Sequence, residues 1–236
     1  KQKIQKYPEV ILKHNGKNKD GLFDLITFAN LMGLPAPSAQ NSFHVNTNKD
    51  RKLNSDEVLY LGCSHTAGSG HSSQETMYTH ILSNMLNKSA NVDHHAGKGN
   101  WLTEEKLQTY NLKNATVIIQ FTDIFRLRLN GYDIPGYQYS KNQSAVFSDK
   151  VLASIFLEQV KRIVNLLRSN SAKFCFFHLS HNYPQERETN SILTTYKEFV
   201  YIPDFNLDTA DQGHHMGVIS HTHWAKLIYN KFNELY

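Results

Sequence analysis

Two cysteines in 236 residues, Cys63 and Cys175, are too few for a disulfide-stapled module, and neither stands in a CxxC pair that would hold zinc. No apolar run reaches the roughly 18 residues that span a bilayer; even VLASIFLEQV is broken by Glu158. No block of Lys or Arg forms a phosphate-tracking stripe, and 25 basic against 21 acidic residues leave a net charge of only +4, so nucleic acid is not the expected partner. No internal repeat is visible. What is present is an ordinary globular composition, 40% hydrophobic, 11% aromatic and 19% charged, which excludes disorder, collagen and coiled coil. The length suits one large domain, or one domain with an added arm. The 13 histidines are the outlier, and their titration makes the charge climb steeply on mild acidification. The chain starts at Lys1 without Met, which leaves a removed leader and a longer product both open, and localisation with them.

Residues 1–56 form an N-terminal arm with little sustained period: a basic start, the apolar stretch GLFDLITFANLMGL, then PAPSAQNS and the polar run NTNKDRKLNSDE. From residue 57 to the C-terminus, short apolar runs alternate with helical patterns, the signature of a parallel sheet covered by helices. Strands are expected at 58–62, 90–93, 116–121 and 173–179, with a short fifth at YIPD; helices at 75–87, 101–110, 149–168, 190–199 and 219–235. The long helix presents Val151, Ile155, Phe156, Val160, Ile163, Val164 and Leu167 on one face. Ligands of such sheets bind beyond the carboxyl ends of the strands, where helix N-termini aim their amides at the crevice.

Two of the loops at that end carry the parts of a nucleophilic site. GCSHTAGSG, residues 62–70, puts Ser64 immediately after the first buried strand, although Ser and Gly are also what any strand-to-helix turn prefers. DQGHHMGVISHTHWA, residues 211–225, sets Asp211 a few residues ahead of His214 and His215 and just before the last helix. A hydroxyl becomes a useful nucleophile when an imidazole takes its proton and an acid fixes the imidazole tautomer. Taken alone, the second loop reads equally well as polar residues with a helix cap.

In combination the two stretches resemble the SGNH (GDSL-type) hydrolases. GCS at Gly62–Ser64 sits where that family has GDS, and the chain is similar to members with a GCSFTxG-like opening and an ending HPG-x-x-SH-x-x-WA, here HMGVISHTHWA with methionine for proline. The resemblance spans roughly Asn46 to the C-terminus. It implies a three-layer α/β/α, flavodoxin-like fold with a five-stranded parallel sheet and a Ser-His-Asp serine esterase acting on small acyl esters, with an O-acetyl group on a carbohydrate as one substrate. Ser64 is the implied nucleophile and Asp211 the acid. The base is His215 by counting from the ending or His214 by counting DxxH, with His215 preferred. Gly97 in NVDHHAGKGN, or next to it Gly99, is the implied oxyanion donor. The family asparagine of GxND is missing from QFTDIFR, where Thr122 and Arg126 stand as substitutes; an ionised Asp123 can only accept hydrogen bonds and would repel an oxyanion. Cys63 is given a packing role. No cofactor is implied, and the oligomeric state is open.

Two rivals accompany this reading. A zinc site would draw on the histidines, but the HTH triplet at 221–223 sits on a helix, where its two rings point some 200° apart; no metal is assigned. The other rival is a catalytically silent binding or structural module on the same fold. Tyr132, Tyr137 and Tyr139 in the loop 131–147 offer rings for stacking on a sugar or simply cover that loop.

Overall fold

A computed structural model describes residues 51–96, 98–124, 126–129, 132–134, 149–179, 184–210 and 215–236. The apolar stretch of the arm, Gly97, Tyr137, Tyr139, Asp211 and His214 lie outside the described residues, and of Tyr132 only the backbone is described.

The central strand explains the architecture. TVIIQF at Thr116–Phe121 is buried at every position, and strict alternation sends Val117, Ile119 and Phe121 into one core and Ile118 into a second on the opposite face. Only a sheet covered on both faces can bury such a run. In chain order the strands are β1 (Arg51–Lys52), β2 (Glu57–Leu61), β3 (Ser89–Val92), β4 (Tyr110–Asn111), β5 (Thr116–Phe121), β6 (Leu127–Leu129), β7 (Tyr132–Ile134) and β8 (Lys173–His178). The helices are α1 (Tyr78–Met85), α2 (Trp101–Leu107), α3 (Asp149–Ser169), α4 (Pro184–Leu193) and α5 (Val218–Leu235). The main sheet is parallel, in the order β3-β2-β5-β8. Its fifth position is held by a single parallel bridge between Phe176 and Phe199, in which Val200 N–H donates to the Phe176 carbonyl at 2.8 Å. The expected YIPD strand thus contracts to a bridge two residues upstream, since Pro203 has no N–H to continue a ladder.

One face of the sheet packs on α3, whose buried stripe runs through Leu152, Phe156, Val160, Ile163, Val164 and Leu167. Ile155, expected on this stripe, is 40% exposed, because the 152-156-160-163-167 series leaves it at the edge of the face. The other face carries α1 and α5, with Tyr78, Leu82, Trp224, Ala225 and Ile228 fully buried. Helix α4 begins at Pro184, six residues before the expected start, since proline suits the first helical turn. Arg51 and Lys52 pair in parallel with Tyr110 and Asn111, so the end of the arm attaches to the domain as a short strand.

The start of α5 is fixed from outside the helix. Gly217, its N-cap residue, has no side chain to cap with. Asp208 substitutes: its carboxylate accepts from Ile219 N–H at 2.9 Å, Ser220 N–H at 2.8 Å and the Ser220 hydroxyl at 2.7 Å. Partial burial pushes the Asp208 carboxyl up, but these donors outweigh it and hold the group below its ordinary range. Asp208→Ala is therefore expected to cost about 1–2 kcal/mol at neutral pH. A carboxyl with a depressed folded pKa stabilises above the unfolded value and loses that contribution as pH falls through the folded one. Urea midpoints of the two proteins should accordingly converge in acid; a gap that stays constant with pH would refute the capping role.

Candidate active site

The first loop leaves β2 and folds back through consecutive turns. Ala67 N–H donates to the Cys63 carbonyl at 3.0 Å, Ser69 N–H to the Ser64 carbonyl at 3.0 Å and His71 N–H to the Gly68 carbonyl at 3.0 Å. Gly62 must be glycine: a Cβ there would lie 2.1 Å from Thr66 Oγ1 and 2.9 Å from Gln120 Cβ. Ser64 is half-buried, while Cys63 is buried beneath it. The Ser64 hydroxyl lies 4.0 Å from Cys63 Sγ.

Beneath Ser64 lies a residue that motif reading passed over. Gln120, fully buried near the end of β5, turns its side-chain oxygen to Cys63 N–H at 3.0 Å, Cys63 S–H at 3.0 Å and the Thr66 hydroxyl at 3.1 Å. Its amide nitrogen donates to the Phe121 carbonyl at 2.9 Å. The amide orientation is dictated by the partners, since a backbone N–H only donates and a carbonyl only accepts. Thr66 in turn meets the Tyr78 hydroxyl at 2.9 Å. The serine loop is thus hydrogen-bonded to the central strand on both sides of Ser64.

The second loop is joined to the first by His95 N–H, which donates to the Gly62 carbonyl at 2.7 Å. His95 is buried with its Nε2 at 3.3 Å from Thr103 Oγ1, whereas His94 is exposed. Burial, reinforced by the Lys106 charge, lowers the His95 pKa to about 3, so this imidazole is neutral and structural at neutral pH. Lys106 holds the loop down, donating to the Asp93 carboxylate and to the His94 carbonyl at 2.6 Å. Burial pushes the Asp93 carboxyl up, and Lys106, Tyr110 and Arg51 together outweigh it and hold the group low. A Cβ on Gly99 would meet the Arg126 carbonyl at 2.4 Å, so the second and third loops touch there.

In the third loop Thr122 is buried, and Asn100 clamps its backbone: Thr122 N–H donates to Asn100 Oδ1 at 2.8 Å and Asn100 Nδ2 donates to the Thr122 carbonyl at 2.9 Å. An asparagine does stand at this end of the sheet, then, but its amide holds the third loop to the second. Arg126 is half-buried, and its Nη1 is buried without a hydrogen-bond partner among the described residues.

The last loop reverses between Asp208 and Gly217. Thr209 and Met216 form an antiparallel bridge, Ala210 N–H donates to the His215 carbonyl at 2.8 Å and Gly217 N–H to the Asp208 carbonyl at 3.0 Å. This pairing fixes the stems on either side of residues 211–214. His215 is half-buried, its ring centroid 5.1 Å from that of His65, the residue next to Ser64. The two distant stretches singled out in the sequence therefore meet. His221 is a different kind of histidine. Fully buried, it accepts Tyr78 N–H on Nδ1 at 3.0 Å and stacks on Trp224 at 4.6 Å. Burial, aided by the nearby His71, lowers its pKa to about 3. Among the described residues no three His, Cys, Asp or Glu side chains are grouped to hold a metal ion, and no helix is long and apolar enough to cross a membrane.

No family model matches the chain, and no curated protein matches it. Among solved structures it is similar to a carbohydrate esterase family 2 enzyme with a carbohydrate-binding domain from Corynascus thermopiles (Myceliophthora fergusii), with a TM-score of 0.51 and 14% identity over 77% of this chain and 67% of that one. It is also similar to a protein of the G-D-S-L family, described as lipolytic, from Desulfitobacterium hafniense DCB-2, with a TM-score of 0.50 and 13% identity over 75% of this chain and 99% of that one. At these identities the likeness is one of fold, and it agrees with the parallel sheet order and the two helical layers. The chain has the α/β fold of the SGNH (GDSL-type) hydrolases.

Proposed function

We propose that the chain is a serine esterase of small acyl esters, with O-acetyl groups on a carbohydrate as the substrate class. Ser64 Oγ attacks the ester carbonyl while His215 takes its proton; the tetrahedral intermediate collapses, the alcohol leaves with that proton, and the acyl group stays on Ser64. Water, deprotonated by the same imidazole, then releases the acid and restores the serine. Asp211 orients the imidazole. The N–H groups of Ser64 and Gly97, with the Thr122 hydroxyl, receive the oxyanion, and Arg126 faces the substrate.

The observation that carries this reading is the contact of the His215 ring with His65, one residue from a half-buried serine at the carboxyl end of a parallel strand. The carbohydrate preference draws on the resemblance and on the activity named for one fold neighbour.

A fluorophosphonate probe tests it. The full chain is expected to form a 1:1 adduct that peptide mass mapping places on Ser64, with loss of short-chain nitrophenyl ester hydrolysis. Absence of an adduct together with equal hydrolysis by wild type and Ser64→Ala would instead favour a silent module on the hydrolase fold.

A further inference from the structure

We infer that His71 is a positioning residue that fixes the backbone of the catalytic base; this rests on the reading of Ser64 and His215 given above. His71 ends the serine loop, yet its ring reaches across to the last loop, 145 positions away, where Nε2 lies 2.9 Å from the Met216 carbonyl. A carbonyl only accepts, so Nε2 carries the hydrogen and donates it. Nδ1 lies 3.0 Å from Thr76 Oγ1, whose single hydrogen goes either to Nδ1 or to the Ser73 carbonyl 2.7 Å away. The ring packs against that of His221, tilted by 58° with centroids 4.3 Å apart, and His221 is buried and held by Tyr78 N–H and Trp224. The ring is therefore constrained at both nitrogens and by a packed neighbour.

What it holds is the Met216–Gly217 peptide, one residue beyond His215. The His215 carbonyl is bound by Ala210 N–H within its own loop, and the next carbonyl, that of Met216, is bound by His71 from the serine loop. This is a direct hydrogen bond between the loop carrying the nucleophile and the loop carrying the base. Without it, the Met216 backbone loses its tie to the serine loop. A displacement of about 1 Å at such a site can cost on the order of 10²-fold in rate.

The test compares His71→Phe, which keeps a ring against His221 but cannot donate, with His71→Gln, whose amide nitrogen can reach the Nε2 position. Wild type, both variants and Ser64→Ala are assayed as full chains on a short-chain nitrophenyl ester. The expected result is kcat down about 10- to 100-fold in His71→Phe with KM unchanged, and recovery to within about threefold of wild type in His71→Gln. Wild-type kcat in the Phe variant, no recovery in the Gln variant, or a loss residing in KM would each overturn the inference. A second readout is independent of turnover. In ¹⁵N-histidine-labelled protein His71 is expected as the Nε2–H tautomer, with the His215 imidazole resonances displaced in His71→Phe. Unchanged His215 resonances, or an Nδ1–H tautomer, would overturn it as well. Failure of the esterase reading itself appears in the wild type, as absent fluorophosphonate labelling, and so is distinguishable from failure of the clamp.

Discussion

His215→Ala is expected to lower kcat on an activated ester by a factor on the order of 10⁴ or more, whereas His214→Ala leaves it within about threefold of wild type. The two histidines are neighbours in sequence, and counting along the motif selects either one. The contacts described for His215 are the reason for assigning the base to it. Its carbonyl is tied to Ala210 N–H, the carbonyl after it is tied to His71, and its ring lies 5.1 Å from the ring that follows Ser64. Removing a general base that acts as a unit with its nucleophile forfeits nearly the whole chemical step, and substrate binding is left in place. The measurement is a kcat and KM pair for each variant, with the melting temperature as a check on folding. A reversed pattern, with His214→Ala inactive and His215→Ala near wild type, would move the base to His214 and remove the basis for the ring contact argument.

The sequence made the sheet legible because fully buried strands carry unbroken apolar runs: β5 falls where TVIIQF predicts it, and α3 and α5 follow their apolar periods to within a residue. It was less informative wherever polar contacts decide. The α4 start was missed because NYPQERET has little apolar period, and the signal available was Pro184 alone. The contacts of His71 and Asn100 were invisible in the sequence, since each is made to a backbone group far away along the chain. Gln120 carried one readable signal, a polar residue within an otherwise apolar strand, which asks for a buried partner. The missing family asparagine was legible as an absence, but nothing in the order of residues says that Asn100 would be spent on the Thr122 backbone.

Gln120 supports the second large effect. Gln120→Leu keeps the bulk but leaves Cys63 N–H and the Thr66 hydroxyl buried without their acceptor. Unsatisfied buried donors cost about 1–3 kcal/mol each, so a total loss of about 3 kcal/mol is expected in urea unfolding. The same change frees the turn that carries Ser64, and kcat should fall about 100-fold in the fraction that remains folded. Gln120→Glu separates the hydrogen-bonding role from mere volume. Protonated, the glutamic acid copies the amide: its carbonyl oxygen accepts from Cys63 and Thr66 while its O–H donates to Phe121. Ionised, it sets a buried negative charge against the Phe121 carbonyl. Burial raises the folded pKa of such a carboxyl above the unfolded value of about 4.3, so the folded state retains its proton longer. Stability is then present below the unfolded pKa and is lost as pH rises towards the folded one, a slope absent from wild type. The difference between the urea midpoints of Gln120→Glu and wild type should therefore widen from about pH 4 upward and level off once the carboxyl ionises in the folded protein. Activity should follow the same curve, because the acceptor that holds the Cys63 amide also sets where Ser64 sits. Parallel stability curves for the two proteins across that range would mean that the residue 120 side chain is solvated or rearranged, and that the serine turn is held by something else.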